Sequence, residues 1–588
     1  MTQRPKKKTK KAKSSSKNGS AQPASEDFQS KSADRSVYTE PQVEDLQYSP
    51  KETMGLKRFA GRVILCAALL AAFILRSIKL GIKPPHFDEG INGYFVAKVW
   101  QDGFYTYDPS NFHGPLYFYF LQFTEVILGR SLEAYRFATG LISLSCIILM
   151  AKHRRFFGAN VIWAVVVASI STGFVFYSRY SIHESLFIFF QLLFTLGYFL
   201  YEEERSRKAA LLMVLGFFGT MAVKETFVVF FAVWFIATLS LRILKIRPNL
   251  PIEIERRGFF AQKASVNDWI ALITIGFFAE SFLFSGFFLH PQGFRDMFAA
   301  FAIWTKTGTG NSGHEKPFYY WVTLLLRYEW PTFITLLVAG PLFFFVDRRK
   351  RLMILFALGT FAAYSLIPYK TPWLILNLLW PLLFVSGFAL EKVAKFKSWN
   401  LRWICRLAFV AAMIAMSHQM LKLNFENYAN PQEPYVYVQS TTGMKQVLDD
   451  VEARVKAFPE DLNMDVLVLV RDPWPLPWVF GEYPNLKYGQ ADTVELNHPG
   501  VILIDGTERA VIEKRLKSQV WRLPFKIRDS YDGGFAYLDF DKFKGIVPSD
   551  SIVVKPSLEA TPEGAVGQPS LPPGASSTPS SVHGGEAK

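Results

Sequence analysis

The sequence predicts an all-α polytopic membrane bundle of about eleven spans, followed by a small external α/β domain. Three observations carry that prediction. Of the 588 residues, 50% are hydrophobic and 16% aromatic, with a positive mean hydropathy, which is not the balance of a soluble multidomain chain. Apolar runs approaching the ~20 residues that cross a hydrocarbon core recur from Phe59 to about Met420. Beyond Met420 the pattern changes to short apolar strands and one amphipathic helix.

Residues 1–58 are rich in Lys, Ser, Gln and Pro and hold too little apolar surface to offset chain entropy, so they read as a disordered basic cytoplasmic tail. The cluster Lys6–Lys13 either touches anionic lipid or is a solvated charge run. The first apolar run starts too late and is too long for a signal-peptide core, and reads as a retained signal anchor. With no water in lipid the runs must be helices. The spans are placed at 59–80, 134–151, 159–177, 181–201, 209–223, 226–244, 268–289, 331–346, 352–368, 373–390 and 402–420.

Loops 152–155, 202–208, 242–263, 347–351 and 391–402 are dense in Lys and Arg, which assigns them to the cytoplasmic side. The net charge of +15 then reflects orientation in a plasma (inner) membrane, and nucleic acid is not the expected partner. Lys224-Glu225 interrupts the apolar stretch Ala209–Leu239, which as one helix would run ~46 Å against a core of ~30 Å. A hairpin turning at Lys224 is the expected solution. Cys66, Cys146 and Cys405 all lie in apolar runs and point to neither a disulfide framework nor a thiolate metal site.

Residues 59–420 thus form the transmembrane domain, with a large first external loop at 81–133, and 421–546 form the external α/β domain. In that domain Gly443–Val455 reads as helix, and Met464–Val470 and Gly500–Asp505 as buried strands. Neither strand is followed by a Gly-rich phosphate loop, which argues against a nucleotide. Trp474-Pro475-Leu476-Pro477-Trp478 either leans over the membrane cavity to hold an acceptor or packs the domain. Residues 547–588, rich in Pro, Ser and Gly, read as a disordered tail.

The chemistry concentrates in the first loop, between His86 and Pro115. Asp88 and Glu89 are adjacent and must point in different directions, so one is free to face a ligand while the other anchors the loop. Equally, both suit the first turn of a short interfacial helix through Gly90 to Trp100. The topology brings Arg179, His183-Glu184, Lys224-Glu225 and Lys370-Thr371-Pro372-Trp373 to the same membrane face, and Arg136 either joins them or pairs with Glu133. Singly, each cation suits a snorkelling role. Together, cations and carboxylates on one face suit an anionic lipid phosphate. Asp88 and His113 are candidate ligands for a divalent cation, magnesium or manganese, because their spacing lacks the regularity of a helical zinc motif.

Asp88-Glu89, His113-Gly114-Pro115, Arg136, Arg179 and the Lys370–Trp373 turn resemble the flippase-activity-associated family over about residues 59–540. The first 230 residues, with an Arg-x-x-x-x-Glu turn at Arg179–Glu184, resemble protein O-mannosyltransferases and lipid A aminoarabinose transferases of the GT-C fold. The resemblance implies a membrane glycosyltransferase that moves a sugar from a polyprenyl-phosphate carrier to an external glycan, lipid or protein acceptor. It implies Asp88 as the catalytic carboxylate with Glu89 in support, Arg179 and Lys224 near the donor phosphate, and Glu184 as a second acidic residue, although the intervening Tyr-Ser-Ile-His departs from the relatives. Arg179, Lys224 and Lys370 would stabilise the leaving phosphate. The alternative is a non-catalytic partner of lipid-linked glycan export that binds the same lipid.

Overall fold

The computed structural model describes residues 56–111, 113–247, 258–309, 313–529 and 533–556. The disordered tails expected at 1–58 and 547–588 lie outside them except for 56–58, where the first helix starts, and 547–556. Every apolar run is helical: Leu56–Ser77, Leu132–Lys152, the pair Val161–Ile170 and Thr172–Ser178, Glu184–Glu204, Arg207–Val223, Phe227–Ile243, Val266–Phe284, Trp330–Phe343, Arg348–Leu366, Ile375–Ala394 and Trp399–Phe425. Among the described residues six helices are individually long and apolar enough to cross a membrane, or seven with the bent pair taken as one span. The chain is an integral membrane protein. Ile375–Ala394 is the central helix: it is apolar on all sides and its Trp380 and Phe384 are fully buried, as a helix without a polar face requires.

The third span bends by 55° at Ser171. Two buried charges answer the backbone groups around the break. Arg76 donates to the carbonyls of Ala168 and Ser169 at 3.2 Å each, and Glu329 accepts from the Gly173 N–H at 2.7 Å and the Ser171 hydroxyl at 2.9 Å. This is how an interrupted helix avoids orphaned polar groups away from water.

The basic loops that the charge pattern assigned to one compartment are tied to one another. Arg155 pairs with Glu203 and Glu204 at 2.8 and 2.6 Å, Arg349 with Glu203 at 2.6 Å, Arg348 with Glu202, and Lys350 with Glu391 at 2.9 Å. At the other end of the helices lies the first loop, which contains Phe87–Asp102 and Leu116–Leu128. The start of Phe87–Asp102 is a capping box: the His86 ring accepts from the Asp88 N–H, and the Glu89 carboxylate accepts from the His86 N–H. Two further helices, Gln292–Thr309 and Tyr320–Tyr328, occupy a segment to which the sequence assigned no element.

The C-terminal domain is a six-stranded mixed sheet in the order β2-β1-β3-β5-β4-β6, with β1 Val466–Leu469, β2 Leu486–Tyr488, β3 Val501–Asp505, β4 Val520–Phe525, β5 Gly534–Asp539 and β6 Ile552–Val554. β1 runs parallel to β2 and β3; the remaining pairings are antiparallel. Val466 and Val468 pack on one face under the helix Thr442–Ala457, while Leu467 and Leu469 pack on the other with Ile512. Both faces are covered, hence the unbroken apolar runs of β1 and β3. β6 corrects the expected boundary at 546, because Ile552–Val554 pairs with Val520–Arg522 rather than belonging to a disordered tail.

Candidate active site between the helix ends and the C-terminal domain

A cavity of about 360 Å³ is lined by the turns at one end of the bundle and by the C-terminal domain. The helix Phe87–Asp102 contributes Phe87, Asp88, Ile91 and Asn92; the turn after the bent span contributes Ile182, His183 and Glu184; Lys224, Glu225 and Thr226 come from the break between Arg207–Val223 and Phe227–Ile243. Trp304, His314, Tyr369, Thr371 and Trp373 close further sides, and Asp472 and Arg528 reach in from the C-terminal domain. Aromatic faces beside planar polar groups are the surfaces a sugar needs, the former for its C–H faces and the latter for its hydroxyls.

Of the residues the sequence singled out, Asp88, His113, Glu184 and Lys224 share this cavity. Asp88 is half-buried, and among the described residues no donor bonds its carboxylate. Glu184 pairs with Lys224, and His113 Nδ1 stands 2.9 Å from Glu225 Oε2. Burial opposes the charge on Lys224, but Glu184, Glu225 and Asp88 outweigh it and hold its pKa above the ordinary lysine value. Burial likewise opposes the Glu225 carboxylate, and His113 with Lys224 holds it below the usual carboxylate range. Lys224 carries three N–H donors, so the bond to Glu184 leaves others to turn to a ligand. Among the described residues, His183 Nε2 and Thr371 Oγ1 are two of the buried polar atoms of lining residues that meet no hydrogen-bond partner. A buried unmet polar atom is costly, and a polar ligand would relieve both.

Glu89, Arg136, Arg179 and Lys370 do not line the cavity, for a shared physical reason: each is committed to holding the backbone around it. Glu89 and Arg136 form a bidentate pair at 2.8 and 2.6 Å, and both are fully buried. Arg136 therefore neither joins the cavity cations nor pairs with Glu133. Arg179 donates to the carbonyls of Leu75, Ile78 and Lys79 at 2.7 to 2.9 Å, satisfying the end of Leu56–Ser77, and stacks over Phe425. The Lys370 ammonium donates to the carbonyls of Lys316, at 3.2 Å, and Ile367. It thereby staples the strand bridge between Glu315 and Tyr369 that presents His314.

The expected divalent-cation site of Asp88 and His113 gains no third protein ligand among the described residues. His113 Nδ1 is engaged by Glu225, and His86 is consumed in the capping box and in a 2.8 Å bond from Nε2 to the Tyr437 carbonyl. Among the described residues no three His, Cys, Asp or Glu side chains stand together at metal-binding spacing. Trp474 and Trp478 also lie off the cavity, packed against Phe87–Asp102. Trp304, His314, Asp472 and Arg528 were not anticipated. Only Asp472 had a usable signal, its place just after an apolar strand, where loops of parallel strands carry sites.

No family model matches the chain, and no curated protein matches it. Solved structures do. ArnT from Cupriavidus metallidurans in its apo state is similar over 83% of this chain and 99% of that chain, at 12% identity and a TM-score of 0.53. The same protein bound to undecaprenyl phosphate is similar over 82% and 98%, at 13% identity and a TM-score of 0.52. The oligosaccharyltransferase of Archaeoglobus fulgidus in its apo form is similar over 85% and 76%, at 11% identity and a TM-score of 0.48. This protein has the GT-C fold of polytopic membrane glycosyltransferases.

Proposed function

We propose that the protein is a membrane glycosyltransferase that moves a sugar from a polyprenyl-phosphate carrier to an acceptor hydroxyl, with Asp88 as general base. The observation that carries this is Asp88 itself, a carboxylate with no bonding partner among the described residues, at the wall of a cavity that also holds Lys224. The acceptor oxygen attacks the anomeric carbon and its proton passes to Asp88. The bond from that carbon to the phosphate oxygen breaks, and the electron pair leaves with the phosphate. Lys224 and the unmet His183 Nε2 and Thr371 Oγ1 are suited to hold that anion. The likeness to a protein crystallised with undecaprenyl phosphate supports a lipid-phosphate ligand.

The test is release of polyprenyl phosphate by the purified protein from a panel of polyprenyl-phosphate hexoses and pentoses, with glycan, lipid and peptide acceptors. Turnover of at least one donor is expected. Binding without turnover of any donor would replace the proposal with a lipid-binding partner of glycan export, a reading favoured by the pairing of Lys224 with Glu184. Lys224→Met should weaken donor binding about 10- to 100-fold, the worth of one charge-assisted hydrogen bond. Unchanged donor affinity would remove Lys224 from the phosphate site.

The orientation belongs to the same proposal, since the donor is met from the external face. A reporter active only outside the cytoplasm should work when fused after residue 425 and fail after residue 350. Equal signals at both positions would overturn it.

A further inference from the structure

We infer that the C-terminal domain positions Asp88, through a clamp of Pro475 and Trp478 on the glycine face of the helix Phe87–Asp102. The inference rests on Asp88 being the base. At 100° per residue, Gly90 and Gly93 share one face of that helix, and Asp88 projects about 170° away from their midpoint. The domain therefore bears on the back of the helix whose front carries the carboxylate.

The contact leaves no slack. A Cβ on Gly90 would lie 2.4 Å from Pro475 Cβ and 2.5 Å from its Cα, and a Cβ on Gly93 would lie 2.4 Å from three ring atoms of Trp478. Trp478 cannot retreat. Its ring is stacked on Tyr135 of the membrane helix Leu132–Lys152, with centroids 5.3 Å apart and planes at 15°, and its carbonyl accepts from Arg130 at 2.8 Å. Adjoining sides of the helix are fixed too. Glu89 is locked to Arg136, and Phe87 lies under the Arg528 guanidinium, 4.7 Å from its ring centroid. The linker into the domain adds the bond between His86 and Tyr437. Held behind and along the sides of its first turns, the helix presents Asp88, Ile91 and Asn92 to the cavity.

A methyl group at position 93 needs roughly 1 Å of room, which the helix must supply by shifting toward the cavity, and displacements of that size cost about a hundredfold in rate. Gly93→Ala and Asp88→Asn, singly and together in the full chain, are assayed in membrane vesicles that retain their own acceptors, with a polyprenyl-phosphate hexose as donor. Gly93→Ala should lower kcat by about a hundredfold and leave donor KM within about threefold. Added to Asp88→Asn it should cost nothing further, because both act on the same carboxylate. If Gly93→Ala prevents folding, Trp478→Phe carries the comparison, with kcat again falling and KM held. A folded Gly93→Ala or Trp478→Phe protein with normal kcat, beside an inactive Asp88→Asn, overturns the clamp and leaves the base assignment standing. Full activity of Asp88→Asn overturns the base assignment and the inference with it. Additive losses in the double variant overturn the coupling and reduce the contact to packing.

Discussion

Asp88→Asn is expected to reduce sugar transfer by about 10²- to 10⁴-fold, the usual contribution of a placed general base, while donor binding and thermal stability stay near those of the parent. The substitution keeps shape and removes the charge and the proton-accepting lone pair. Because no described donor bonds the Asp88 carboxylate, the fold loses no contact with it. Donor binding should persist because Lys224, His183 and Thr371 are untouched. The measurement pairs initial rates of polyprenyl phosphate release with donor binding to the same purified variant. Normal transfer would sink the base assignment. Loss of binding in step with loss of rate would mean that Asp88 holds substrate rather than proton. Glu89→Gln provides the contrast: that side chain is outside the cavity, and its loss should appear first as instability.

How much of this was legible in the sequence follows from which signals are local. All eleven apolar runs became helices because transfer out of water decides them residue by residue, and the break at Lys224 followed from length alone. The strands of residues 466–469 and 501–505 were legible because both faces of the sheet are covered, which makes them continuously apolar. β6 was hidden in a Pro- and Ser-rich setting. The helix Gln292–Thr309 carries too many polar residues to register as a span and lies outside the helices that do.

The site was legible in part. A charge beside a membrane span is costly, so Asp88, Glu184 and Lys224 stood out, but Arg179, Arg136 and Lys370 stood out for the same reason. Sequence marks that a charge needs a partner; it does not say whether the partner is a ligand or a carbonyl three turns away. For Arg179 it is the end of Leu56–Ser77, a hundred residues upstream. Arg528 was invisible, and Asp472 showed only as a residue just after an apolar strand, because the docking of the C-terminal domain is what brings both to the cavity.

The largest effect on stability is expected from Arg136→Ala. All five of its N–H bonds are used: two go to Glu89, and the others go to the carbonyls of Leu80, Lys83 and Pro84 at 2.7 to 2.9 Å. Glu89 in turn accepts from the backbone N–H groups of His86 and Ser181, each at 2.8 Å. The pair joins the first membrane helix's exit, the Asp88 helix and the turn after the bent span. Removing one partner leaves a fully buried charge uncompensated, which costs ~3–5 kcal/mol. Arg136→Lys should also destabilise, since an ammonium cannot reproduce the fork that serves Glu89 and three carbonyls. Burial opposes the Glu89 carboxylate, and Arg136 more than offsets it, holding its pKa below the ordinary value. The pair's contribution is therefore full above the ordinary carboxyl range and is lost only as the pH falls through Glu89's own lower pKa. Thermal unfolding of the purified variants at neutral pH reads the effect directly. Arg136→Ala melting like the parent would show that neither the ion pair nor the carbonyl contacts of Arg136 hold the loop; a large drop in Arg136→Ala with Glu89→Gln equally low would assign the effect to the pair.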